Sequence, residues 1–213
     1  MNWDTRTNLE RYTQKYELIV VMPDAGDSWY TNSATDSKDK FEDYIAKDLV
    51  AEIDGKFRTV RSRHARAIAG LSMGGYGALK IALRYHDDFA FTGSLSGALN
   101  APQDLGDRQP AFRKQLLKVF GPPGSAVRAD NNVFSLLQSA GVKDLPYFYV
   151  ACGSADDLLP VNRDFAAQLA SRGAVYEYHE TSGGHAWDYW DRSLQDLLRA
   201  VANVVSSQHR RIS

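Results

Sequence analysis

A chain of 213 residues, 44% of them hydrophobic, suits one globular domain, since roughly 70% of the unfolded surface is buried at this size without a covalent staple. Its 25 basic and 26 acidic residues leave a net charge of -1 with no long run of one sign, which excludes an electrostatic nucleic-acid footprint. No apolar run reaches the length of a membrane span, and the single cysteine, Cys152, excludes an intramolecular disulfide.

The first residues, Met1-Asn-Trp-Asp-Thr-Arg6, lack the apolar segment of a signal peptide and favour the cytoplasm. A helical pattern over Arg6–Lys15 leads to a predicted strand at Glu17–Pro23, and a second helical pattern covers Lys40–Ile53. The cluster Arg61-Ser-Arg63-His64-Ala-Arg66 reads as a solvated loop edge before a strand at Arg66–Leu71. A helix at Met73–Tyr85 and a strand at Phe91–Leu95 follow. The stretch 100–144 is irregular, with a helical pattern at Arg113–Val119 and a break at Gly121-Pro-Pro-Gly124. It reads as a lid-like helical excursion over the strand ends or, equally, as a linker between strands. Beyond it come a strand at Tyr147–Cys152, a helix at Val161–Ser171, a strand at Val175–Glu180 and a helix at Asp188–Val205. The last places Trp190, Leu194, Leu197, Leu198, Val201 and Val205 on one face. Strands alternating with helices predict one α/β domain over 1–213, a mostly parallel sheet with helices on both faces.

The chemistry concentrates at Gly70-Leu-Ser72-Met-Gly74, which closes the strand at Arg66–Leu71 and opens the next helix. A Gly-x-Ser-x-Gly turn at such a corner holds a serine in a strained conformation over a helix N-terminus; Gly70 and Gly74 are expected to relieve the crowding. A serine nucleophile needs a base, and the base an orienting acid, each on a loop after a later strand. The loop Gly153-Ser-Ala-Asp156-Asp157 is the address for the acid, with Asp156 preferred and Asp157 read as a surface or helix-capping carboxylate. Gly183-Gly-His185 is the address for the base. His179 falls inside a strand, and Cys152 reads as a buried strand-end thiol. The Met73 N–H, next after the serine, is the expected oxyanion donor.

Further strings carry a resemblance: Leu18-Ile-Val-Val-Met-Pro-Asp24, Asp27-Ser-Trp-Tyr-Thr-Asn32, Gly70 to Leu79, Ser94-Leu-Ser-Gly-Ala98 and Gly183-Gly-His-Ala-Trp-Asp-Tyr-Trp190. Together they resemble the esterase D family of α/β-hydrolases, which takes in tributyrin-type carboxylesterases, S-formylglutathione hydrolases, feruloyl esterases and mycolyltransferases. The resemblance implies an α/β-hydrolase fold and a serine carboxylesterase acting on small-molecule esters of small or medium acyl chains. No metal or cofactor is implied, and Trp29 and Tyr30 match a pocket-lining loop of relatives. Acyl transfer or thioester hydrolysis is the alternative activity, and a catalytically impaired scaffold acting in association a third reading. Relatives also carry a strand ending in a His-Gly loop that donates a second oxyanion N–H, and this sequence has no such pair. The strand would lie between those at Leu18 and Ile68. The expectation is therefore that these two pair directly, that another chain or fragment fills the gap, or that the start lies elsewhere, where a secretion signal could also sit. An exposed strand flank further implies a homo-oligomer.

Overall fold

In a computed structural model residues 3–103 and 109–209 are described, the side chains of 206–209 excepted. Two short helices, α1 (Trp3–Arg6) and α2 (Leu9–Thr13), stand where one helix over Arg6–Lys15 was expected. The break falls at Thr7 and Asn8, where the Thr7 hydroxyl bonds the Trp3 carbonyl and Asn8 turns to Asp191. Helix α3 (Phe41–Asp43), a π-helical turn (Tyr44–Asp48) and α4 (Leu49–Lys56) together fill and extend the span expected from Lys40. Then come β1 (Ala67–Leu71), α5 (Met73–Arg84) and β2 (Phe91–Leu95). The stretch after β2 is helical, with α6 (Pro110–Phe120), α7 (Ala126–Asp130) and α8 (Val133–Ser139). The chain closes with β3 (Tyr147–Gly153), α9 (Leu159–Ser171), β4 (Tyr176–Thr181) and α10 (Trp187–His209).

Among the described residues the sheet runs β1-β2-β3-β4, every neighbouring pair parallel. Parallel strands need crossovers, and the intervening helices supply them. Side chains alternate along β3, so Phe148 and Val150 enter one core while Tyr149 and Ala151 enter the other. The first core gathers Trp29, Tyr76, Leu79, Phe120, Leu137 and Phe165, so the helical excursion after β2 packs as part of that layer. The second lies under α10, whose Leu194, Leu197, Leu198 and Val201 cover Phe91 and Leu95. Each such aliphatic side chain contributes about 1.5–3 kcal/mol by leaving water. A third cluster packs Ile45 and Ala46 against Ile81 and Ala82, on the outer side of α5.

The strand expected at Glu17–Pro23 does not form. Ile19, Val20, Val21 and Met22 are 39–51% exposed, and the segment joins no ladder. A strand needs a neighbouring edge in register, and β1 hydrogen-bonds only to β2 among the described residues. The segments at Leu18 and Ile68 therefore do not pair directly. Leu18 still packs under α10, so the apolar pattern marks partial burial without marking a strand. The arginines before β1 are anchors more than a solvated edge: Arg63 donates to the carbonyls of Phe89, Asp144 and Leu145, and Arg66 pairs with Asp54. No helix among the described residues is long and apolar enough to cross a membrane.

Candidate active site

Ser72 sits between β1 and α5 with φ 52° and ψ −116°, a conformation costly for a residue with a side chain. The turn is tied by Ser72 N–H to the Leu95 carbonyl (2.9 Å) and by Ala98 N–H to the Ser72 carbonyl (3.0 Å). A Cβ on Gly70 would run into the Gly74 backbone, so the turn closes only with glycine there. Gly74 differs from expectation: a Cβ there would lie 3.5 Å from the Tyr30 hydroxyl, an ordinary contact, and nothing steric at the turn demands glycine.

His185 and Asp156 reach Ser72 from the loops after β4 and β3. His185 Nε2 lies 2.9 Å from Ser72 Oγ, and His185 Nδ1 lies 2.9 Å from Asp156 Oδ2. The Asp156 side chain is fully buried, while the His185 side chain is 38% exposed. The other carboxylate oxygen of Asp156 accepts the Leu158 N–H at 2.9 Å, so the acid also fixes the start of α9. Asp157 is exposed, in line with the surface alternative, and among the described residues no side chain caps the amino end of α9. With Asp156 ionised, the imidazole proton is drawn to Nδ1 and Nε2 is left to accept from the serine.

Behind the imidazole stands Trp190. Its ring meets His185 edge-on at 4.8 Å between centroids, and its Nε1–H donates to Ser96 Oγ at 3.1 Å. Ser96 is itself held at φ 49°. His179 stays away from this centre, stacked on Tyr149 and bonded to Glu177. Cys152 is a buried free thiol, pushed up to about 12 by burial first and then by the Asp156 carboxylate, so it is not a nucleophile.

Met73 is the first residue of α5, so its N–H has no partner within the helix and faces the turn. Trp29 is buried among Tyr76, Phe112 and Phe120, a core position. Tyr30 is half-buried, with its hydroxyl over Gly74. Sequence reasoning passed over Lys80 and Glu42. Lys80 is fully buried on α5 and donates to Tyr30 O (2.8 Å), Thr31 Oγ1 (2.7 Å), Glu42 Oε2 (2.7 Å) and Asn131 Oδ1 (3.2 Å). Burial lowers the ammonium to about 8 against the opposing pull of Glu42, which leaves it charged at neutral pH, with its three N–H donors shared among four acceptors. The available signal was a lysine set between Leu79 and Ile81 in the otherwise apolar run Ala78 to Leu83.

Comparison with known proteins gives this site a context. A family model described as "Putative esterase" matches residues 1–201. The chain is 28% identical over 214 residues to an acetyl esterase of Caldicellulosiruptor saccharolyticus, covering 96% of this chain and 79% of that one. An esterase of Mycobacterium tuberculosis is 31% identical over 191 residues, covering 80% of this chain but only 42% of the relative. Among solved structures, the fluorophosphonate-binding serine hydrolase FphF of Staphylococcus aureus superposes with a TM-score of 0.83 at 30% identity, covering 95% of this chain and 77% of that one. These neighbours share the α/β-hydrolase fold.

Proposed function

The chain belongs to the esterase family, a family of carboxylic ester hydrolases, and on that premise we propose that it is a serine carboxylesterase of small or medium acyl esters. The observation that carries the reading is the continuous relay from Ser72 Oγ through His185 to the buried Asp156, with both links at 2.9 Å. His185 Nε2 takes the hydroxyl proton as Ser72 Oγ attacks the ester carbonyl. The alcohol leaves with that proton, and the acyl group stays on Ser72. Water then gives a proton to His185 and attacks the acyl carbonyl; the Ser72 Oγ–acyl bond breaks as His185 returns that proton to Ser72 Oγ, and the acid leaves. Asp156 holds the Nδ1–H tautomer and offsets the imidazolium charge, and the Met73 N–H stabilises the oxyanion in both steps. The small-acyl assignment leans on the acetyl esterase relative.

The test is intact mass after treatment with a fluorophosphonate, beside Ser72→Ala. A single adduct, absent from the variant, is expected. A folded sample that takes no adduct, or an unchanged turnover of an aryl butyrate by Ser72→Ala, overturns the reading. Acyl transfer to an alcohol is the second reading, supported by the 38% exposure of the His185 side chain, which an acceptor alcohol can reach from solvent as water does. Added alcohols that divert product from acid to ester would establish it.

A further inference from the structure

Tyr30 runs lengthwise along α5. Its backbone carbonyl is held by Lys80 Nζ at 2.8 Å, its Cβ and Cγ press on Gly77, and its hydroxyl lies over Gly74. Gly74, Gly77 and Lys80 recur every three residues, so they share one face of the helix. Gly77 makes the groove for the ring: a Cβ there would occupy the space of the Tyr30 ring, and only glycine leaves that place open, while at Gly74 a Cβ would meet the hydroxyl only at ordinary contact distance. The phenol thus points toward the amino end of α5, where Ser72 and the unpaired Met73 N–H stand.

Holding Tyr30 in this way opposes its backbone preference. Trp29 and Tyr30 have φ of 55° and 52°, two successive non-glycine residues in the left-handed region. Such strain persists only where the surroundings over-determine it. Here Ser28 Oγ accepts the Tyr30 N–H, Thr31 Oγ1 donates to the Trp29 carbonyl, and Lys80 grips Tyr30 O and Thr31 Oγ1 from a fully buried position backed by Glu42 and Asn131. The hydroxyl itself has no hydrogen-bond partner among the described residues, and it is not one of the sealed polar atoms, in contrast to the Trp29 Nε1 beside it. Burial and then the nearby Asp24 carboxylate raise the phenol above its ordinary value, so it stays a donor at neutral pH.

We propose that Tyr30 is a catalytic residue of this chain, its hydroxyl the second donor to the oxyanion beside the Met73 N–H, and that Lys80 is the positioning residue that locks it there. The proposal rests on the serine-esterase reading. A fixed donor aimed at developing charge acts in the transition state and needs no reorganisation when the carbonyl oxygen becomes negative. The strained Trp29–Tyr30 backbone and the buried ammonium then have one common purpose, the placing of a single phenolic O–H.

The decisive variant is Tyr30→Phe, which keeps the ring in its groove and removes one oxygen. With an aryl butyrate, kcat per fluorophosphonate-titrated site is expected to fall on the order of a hundredfold, with KM within about threefold of the parent. Its melting temperature should stay near that of the parent. A kcat per titrated site within about twofold of the parent overturns the proposal, as does a raised KM with unchanged kcat, which would make Tyr30 a ground-state contact. Lys80→Met tests the positioning role through a double-mutant cycle. It should lower kcat per titrated site, and the pair Tyr30→Phe with Lys80→Met should be no slower than Tyr30→Phe alone. Losses that multiply overturn that role. A parent chain that takes no fluorophosphonate sinks the serine-esterase reading itself; a labelled parent with an indifferent Tyr30→Phe sinks only the oxyanion assignment.

Discussion

Ser72 shows how much one residue's backbone carries. At φ 52° its side chain stands clear of both β1 and α5, and the imidazole of His185 meets it from a loop 113 residues later. Ser72, His185 and the Asp156 address were legible because each follows a strand and sits among glycines, a placement that chain order alone exposes. The choice of Asp156 over Asp157 needed burial to decide it: one carboxylate is sealed against the imidazole and the other is in solvent. Asp156→Asn should leave the fold intact and lower kcat on the order of ten-thousandfold, since the amide favours the wrong imidazole tautomer. Steady-state kinetics beside a melting curve checks it, and a loss of less than about tenfold would remove Asp156 from the relay.

At the scale of elements, α5 is the piece on which the site is mounted. Its amino end faces Ser72, its glycine face seats Tyr30, and its Lys80 enters a buried ionic cluster with Glu42 and Arg84. Burial pushes the Glu42 carboxyl up, but the Lys80 and Arg84 cations together hold it below the usual glutamate range. A folded value below the unfolded one contributes stability that is complete above the ordinary glutamate range. That stability is lost as pH falls through the lowered folded value. The urea midpoint of the parent should therefore drop more steeply between about pH 5 and pH 3 than that of Glu42→Gln. At neutral pH the same variant should cost about 3–5 kcal/mol, because it leaves Lys80 buried without its counter-charge. Equal slopes in both proteins would show that Glu42 does not titrate with folding. None of this cluster was legible in sequence: Glu42 and Lys80 lie 38 residues apart, and only packing of the helix at 41–43 against α5 makes them neighbours.

For the whole molecule the informative place is the sheet margin at β1. Ala67 and Ala69 are exposed there, and four consecutive apolar residues, Ile19 to Met22, are exposed as well. Unpaired strand edges and exposed apolar runs promote association between chains. Sedimentation velocity at micromolar concentration is expected to show a species heavier than the monomer, and Ala69→Lys, which sets a charge on the open edge, to return it to monomer. A parent chain that sediments only as a monomer would refute the expectation. The strand at Glu17–Pro23 failed because a strand exists only with a partner edge in register, and the apolar run Leu18 to Met22 has none among the described residues.

The sequence by itself determined the four strands from Arg66 onward, helices α5, α6 and α9 between them and the loops on which Ser72, Asp156 and His185 stand, because period, glycine placement and chain order are local properties. It also determined the α10 face, where six apolar residues at helical spacing leave one way to pack. Tertiary structure alone decided the rest: that Trp29 is core while Tyr30 lies along α5, that a lysine is buried under the site, and that the segment at Leu18 stays outside the sheet. Those outcomes depend on which surfaces meet across long chain separations, and contact of that kind sets burial, charge and strand pairing without leaving a period to read.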